Sequence, residues 1–151
     1  IVLCPNPADD RKMTAPHERY RRYLETLTLE TLDALPDYVI DDVRFKDPFN
    51  DVHGADAMHR VFRHMFDNVG NVRFTVHRAV LDGDTCLMDW RFEGLLRSKP
   101  LVFEGASVVT FATDGRVAEH IDHWDAASAF YERLPILGSL LGWISGRLTV
   151  R

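Results

Sequence analysis

The strongest constraint on this chain is a change of hydrophobic period partway along it. In residues 17–34 and 54–66 the apolar residues recur at helical spacing, and from Val72 onward they alternate with a period of two. Segments 72–81, 85–96, 101–112 and 116–124 are rich in Val, Phe, Leu and Thr, which suit a pleated, half-buried surface. Asp82-Gly83-Asp84, Ser98-Lys99-Pro100 and Thr113-Asp114-Gly115 lie between them, and each has the chemistry of a tight turn. Four strands with such short links predict an antiparallel meander.

Helical segments come first. Over 17–34, Tyr20, Tyr23, Leu24, Leu27, Thr31 and Leu35 fall on one stripe, with Glu18, Arg21, Arg22 and Glu25 away from it. Pro36 breaks the pattern, and a short helical turn through Tyr38 follows. Val43 to Lys46 reads as a strand ending at the turn pair Asp47-Pro48. Gly54 opens a second helix, on which Met58, Val61, Phe62, Met65 and Phe66 keep the helical period. After the meander, Asp125 is the N-cap of a helix through Leu134. Beyond Pro135 lies an apolar helix with Ile136, Leu137, Leu140, Leu141, Trp143, Ile144 and Leu148.

Helices followed by a bent antiparallel sheet predict an α+β fold. The expected shape is a curved antiparallel sheet wrapped around the N-terminal helices into a cone with a central apolar pocket. A chain of 151 residues that is 46% hydrophobic can fill one such core without a metal or a disulfide. Residues 1–14 read as a loose tail, 15–134 as the domain, and 135–151 as a C-terminal helix packed on the domain or on a dimer.

Charge narrows the partners. The formal net charge is −5, and Arg21, Arg22, Arg60, Arg63 and Arg78 sit on polar faces without forming a basic block. Nucleic acid is therefore not an expected partner. No apolar run reaches the about 18 residues of a membrane span, and no signal peptide is visible. Cys86 lies in an apolar strand pattern, as a buried thiol of a reducing compartment would, so a cytoplasmic location is expected. His59 and His64 point about 140° apart around their helix, and no zinc spacing occurs elsewhere. Neither a metal nor a cofactor is expected.

The stretch LDALPDYVIDDVRFKDPF (32–49) resembles the second helix and first strand of ketosteroid isomerases. The stretch GRVAEHIDHWDA (115–126) resembles the last strand of SnoaL-like polyketide cyclases and limonene epoxide hydrolases. With the order of elements, this is a resemblance to the ketosteroid-isomerase-like and SnoaL-like family of the nuclear transport factor 2-like superfamily. The resemblance implies that Asp47 is a proton-shuttling base and that Asp122 takes part in acid–base chemistry. It implies a tyrosine donor on the first helix, Tyr23 by an ungapped count or Tyr20 with one extra helical turn. Ser107 stands where ketosteroid isomerases carry a protonated carboxylic acid, a departure from steroid isomerisation. The Arg-x-Asp of epoxide hydrolases has its nearest counterpart in Arg91-Phe92-Glu93, which is out of step.

Strand alternation assigns faces independently. Cys86, Met88, Trp90 and Phe92 share the inner face, so Arg91 and Glu93 point outward. Phe103, Gly105, Ser107, Val109 and Phe111 share a face of the next strand, and the opposite face, with Val102, Ala106 and Val108, is apolar enough for a homodimer. His120, Asp122 and Trp124 alternate against Glu119, Ile121 and His123. An inward His120 and Asp122 form a polar pair in an apolar cone, and that environment suits proton transfer. Tyr20, Phe62, Met88, Trp90, Phe103, Ser107 and Trp124 are the expected substrate contacts. The expected function is cofactor-free acid–base catalysis of the isomerase, cyclase or dehydratase type on a hydrophobic carbonyl, polyketide, steroid or lipid-like substrate. The alternative is a non-catalytic domain that binds a lipophilic ligand or supports assembly, and a limonene-type epoxide hydrolase ranks behind both. Each residue also has a purely structural role open to it: Asp47 as a turn former, the tyrosines as core, and His120 with Asp122 as a strand brace.

Overall fold

The structure, a computed structural model, describes residues 14–129. The helix expected over 135–151, the end of the helix to Leu134 and most of the expected tail lie outside the described residues. The elements are α1 (Pro16–Glu25), a 3-10 helix (Leu32–Asp37), β1 (Val39–Lys46), β2 (Asp51–His53), α2 (Ala55–Asn68), β3 (Val69–Asp82), β4 (Thr85–Leu96), β5 (Lys99–Phe111), β6 (Val117–Trp124) and α3 (Ala126–Ala129). Among them no helix is long and apolar enough to cross a membrane.

The first helix stops at Glu25 rather than running to 34. Threonines explain the early end, because their hydroxyls compete with the helix for backbone partners. The Thr26 hydroxyl donates to Arg22 O at 2.8 Å, and Thr31 Oγ1 accepts from Thr28 N at 2.8 Å while Thr28 Oγ1 accepts from Thr31 N at 3.2 Å. The chain then re-enters a short 3-10 helix that buries Leu32 and Leu35. On α2, Gly54 at φ 99° is the N-cap, and Met58 and Phe62 are buried. Burying each is worth about 1.5–3 kcal/mol. The exposed Arg63–Asp67 pair of the same helix contributes about 0.3–0.5 kcal/mol. The apolar stripe, not the ion pair, docks the helix.

The sheet is curved, unclosed and six-stranded, in the order β2-β1-β6-β5-β4-β3. The strands β3 to β6 form the expected antiparallel meander, but β1 pairs with β6 in parallel, so the sheet is mixed. The chain crosses from β1 through α2 and the meander before it returns, and that long connection permits a parallel pair. The β4–β5 turn sits at Arg97-Ser98, with φ of 50° and 63°, one residue ahead of the expected Ser98-Lys99-Pro100. Those angles are those of a two-residue type I′ hairpin.

Cross-strand registers set the inner face row by row. Cys86 lies beside Val109, Val109 beside His120, and His120 beside Phe45. The next rows are Met88–Ser107–Asp122 and Trp90–Gly105–Trp124, followed by Phe92–Phe103. The sheet therefore passes from a closed aliphatic end, through a polar row, to an aromatic end.

Candidate functional site

At the polar row Ser107 and Asp122 are directly opposed, and the Ser107 hydroxyl donates to Asp122 Oδ1 at 2.5 Å. Trp90, one row along, donates its indole N–H to Ser107 Oγ at 2.7 Å. His120, two residues before Asp122 on the same face, contacts Asp122 Oδ1 through Nε2 at 2.7 Å. Its Nδ1 meets the Tyr20 hydroxyl of α1 at 2.8 Å. Five side chains from four elements thus form one continuous chain of hydrogen bonds.

The direction of that chain follows from the donors. Burial above all, helped by the charge of Asp122, pushes the Tyr20 pKa well above its ordinary value, so the Tyr20 hydroxyl keeps its proton. A carboxylate only accepts, so Nε2–H donates to Asp122 Oδ1, and Nδ1 of the neutral ring is left to accept from the Tyr20 hydroxyl. The Trp90 indole can only donate, so the Ser107 hydroxyl proton is left for the same oxygen. Two donors converge on Oδ1. Oδ2 receives none of these bonds, and Asp122 lines a cavity with its side chain 14% exposed, against 3% for His120.

That cavity has a volume of about 480 Å³, within the size range that holds small organic ligands. Its wall is mostly aromatic. Phe103 stacks on Phe92 and on Trp124 with ring centres 4.8 and 4.6 Å apart, and Phe74 packs edge-on against Trp90 and Phe92. Phe45 packs on Phe62 and on the His120 ring. Among the described residues no group of His, Cys, Asp and Glu is arranged to hold a metal ion.

The residues singled out from the sequence separate into three groups. Asp47, Phe62, Trp90, Phe103, Asp122 and Trp124 line the cavity. Tyr20, Ser107 and His120 stand behind it as the hydrogen-bond chain. Tyr23 and Met88 do neither. Tyr23 stacks on Tyr38 at 4.0 Å, and its hydroxyl donates toward the Thr31 and Leu32 carbonyls, because the Thr26–Thr31 loop folds back over it. Of the two tyrosines, Tyr20 is the one that reaches the polar row. Met88 is fully buried in that row without reaching the cavity wall.

Asp47 lines the cavity, but its carboxylate serves its own turn. Oδ1 accepts from Phe49 N at 2.8 Å, from Asn50 N at 2.6 Å and from Asn50 Nδ2 at 3.0 Å. Arg91 and Glu93 point away from the cavity, as alternation predicts, toward Glu104 and Arg73 on the outer face. Arg60, assigned to a polar face, is exposed yet contributes to the cavity wall, as do His64 and Asn68. Their spacing of four along α2 was the signal that could have found them. The inward-facing Phe45, Phe74 and Leu101 were also missed, and strand alternation alone was enough to place Leu101 and Phe45.

The family model described as the SnoaL-like domain matches residues 20–120. No curated protein matches the chain. Among solved structures, a nuclear transport factor 2-like protein of unknown function from Exiguobacterium sp. 255-15 is 19% identical, covering 74% of this chain and 99% of its own with a TM-score of 0.65. An LEH-like epoxide hydrolase from M. tuberculosis is 20% identical, with coverages of 87% and 96% and a TM-score of 0.65. A SnoaL-like polyketide cyclase from Agrobacterium tumefaciens is 18% identical, with coverages of 76% and 94% and a TM-score of 0.65. At these identities the likeness is one of fold.

Proposed function

Because this chain belongs to the SnoaL-like domain family, we propose that it is a cofactor-free enzyme of proton transfer, acting on a hydrophobic carbonyl compound held in the aromatic cavity. Asp122 is the acid–base group in this reading. One observation carries it: both donors reach Oδ1, which leaves Oδ2 as the oxygen able to exchange a proton with a ligand. A carboxylate braced on one side and open on the other can accept a proton from carbon and return it to a different atom. His120, Ser107, Tyr20 and Trp90 are positioning residues. They fix the carboxylate plane and never touch the ligand, except that the Trp90 ring also forms part of the wall. Asp47 holds the rim turn and presents Phe49, which packs edge-on against Trp124.

The reading is tested by proton exchange on carbon. Rigid hydrophobic ketones incubated with the protein in deuterated buffer should lose their α-proton NMR signals faster than in buffer alone. Asp122→Asn should slow that exchange by about 10²- to 10⁴-fold with ligand affinity retained. Asp47→Asn should act mainly through stability and affinity. Exchange equal to buffer for every ketone, or unchanged in Asp122→Asn, would contradict the proposal.

We infer in addition that the protein is a homodimer through the outer sheet face. Val80, Leu87, Val108 and Ile121 form one continuous cross-strand row there, with Val80 61% and Leu87 57% exposed. An apolar outer row of this kind is characteristic of a sheet covered on both faces.

A further inference from the structure

The cavity wall is not uniformly apolar. Three polar residues of α2, Arg60, His64 and Asn68, recur every fourth position and so project on one side of the helix. All three line the cavity and all are exposed, which puts them at its open end. Asn68 is turned back onto the His64 carbonyl at 2.8 Å. Arg60 differs from its neighbour Arg63, which is paired with Asp67 at 3.3 Å. The Arg60 guanidinium has no ion-pair or hydrogen-bond partner among the described residues.

The two carboxylates of the wall are disposed differently. Asp122 lies inside, in the polar row. Asp47 is engaged by the donors of its own turn, Phe49 N, Asn50 N and Asn50 Nδ2. An anionic group on a ligand is therefore repelled from the inner end by Asp122 and attracted to the uncompensated cation at the mouth. A guanidinium presents a planar fork of donors that matches a carboxylate.

We propose that the ligand of this cavity is an apolar small molecule bearing one carboxylate, with its ring system among the aromatic side chains and its anion on Arg60 at the mouth. This inference rests on the small-molecule reading above and adds an orientation to it. With the acid held at the mouth, the far end of the molecule is the part that meets Asp122 Oδ2. Arg60 is then a specificity-determining residue, and His64 offers a second donor to the same anion.

The test compares naphthoic acid with naphthamide, which share one ring system and differ in charge, by isothermal titration calorimetry. The wild-type protein should bind the acid about tenfold tighter than the amide. That preference should shrink as salt is raised. Arg60→Met should remove it by weakening the acid alone, and Arg60→Lys should keep part of it. Arg60 is exposed and has no ion-pair or hydrogen-bond partner among the described residues, so both variants should fold, and an unchanged far-ultraviolet spectrum would verify this. Equal binding of acid and amide by the wild type, or a preference that survives in Arg60→Met, would overturn the inference and leave the cavity reading standing. Failure of both compounds to bind would overturn the inference together with the small-molecule reading.

Discussion

Gly105 sits across the strands from two tryptophans, Trp90 on one side and Trp124 on the other. A Cβ at this position would lie 2.6 Å from Trp90 Cζ2, closer still to Cη2, and 3.0 Å from His123 O. The missing side chain is what lets the Trp90 ring lie flat over the strand, and that pose aims its N–H at Ser107. Gly105→Ala should therefore cost about 1–3 kcal/mol from overpacking and shift tryptophan emission as Trp90 leaves Ser107. Gly70→Ala is the control, since its Cβ would meet nothing closer than 3.9 Å, and it should stay within about 0.5 kcal/mol. Chemical denaturation and fluorescence read both variants. Equal effects of the two would show that the close approach at Gly105 does not hold Trp90.

At the scale of elements, α1 does more than fill the cone. Its Glu25 carboxylate accepts from Val76 N at 2.9 Å, and its Arg21 donates to Val76 O at 3.2 Å. Two free backbone groups on the edge strand β3 are satisfied by side chains, which blunts that edge against pairing with another chain. Nothing in the spacing of Glu25 along the sequence announces this. What the sequence does make legible is periodicity, and periodicity placed β3 to β6, the buried stripe of α2 and the inward facing of His120 and Asp122. It also placed Cys86, whose thiol burial pushes toward a higher pKa. Features that depend on side chains competing for backbone were hidden, among them the early end of α1 at Thr26 and the two-residue turn at Arg97-Ser98. The choice between Tyr20 and Tyr23 was hidden for the same reason, because it hangs on where that loop folds. A helical residue that is exposed and still lines a cavity, such as Arg60, has no signature in a hydrophobic pattern.

For the whole molecule the two faces of the sheet have separate tasks. The inner face carries the aromatic rows and the Asp122 chain. The outer face carries cross-strand ion pairs, Arg78–Asp89 and Arg73–Glu93 at 2.6 Å each, beside the apolar row of Val80, Leu87, Val108 and Ile121. These exposed pairs contribute little stability; in the proposed dimer they would face the partner sheet and could fix its register. Light scattering coupled to size-exclusion chromatography should find a dimer at micromolar concentration. Val80→Asp with Leu87→Asp should give a folded monomer. A wild-type monomer at the same concentration would contradict the dimer.

The proposed acid–base role rests on the two donors that reach Asp122, the Ser107 hydroxyl and His120 Nε2, both ending on Oδ1 and leaving Oδ2 to a ligand. Long-range nitrogen-15 NMR on the histidine rings tests this most directly, because it reports which ring nitrogen of His120 carries the proton. A proton on Nε2 is expected, with a change in that signal in Asp122→Asn. An Nε2 without a proton would be an acceptor, so its contact with Asp122 could not be a donation to Oδ1, and the claim would be contradicted.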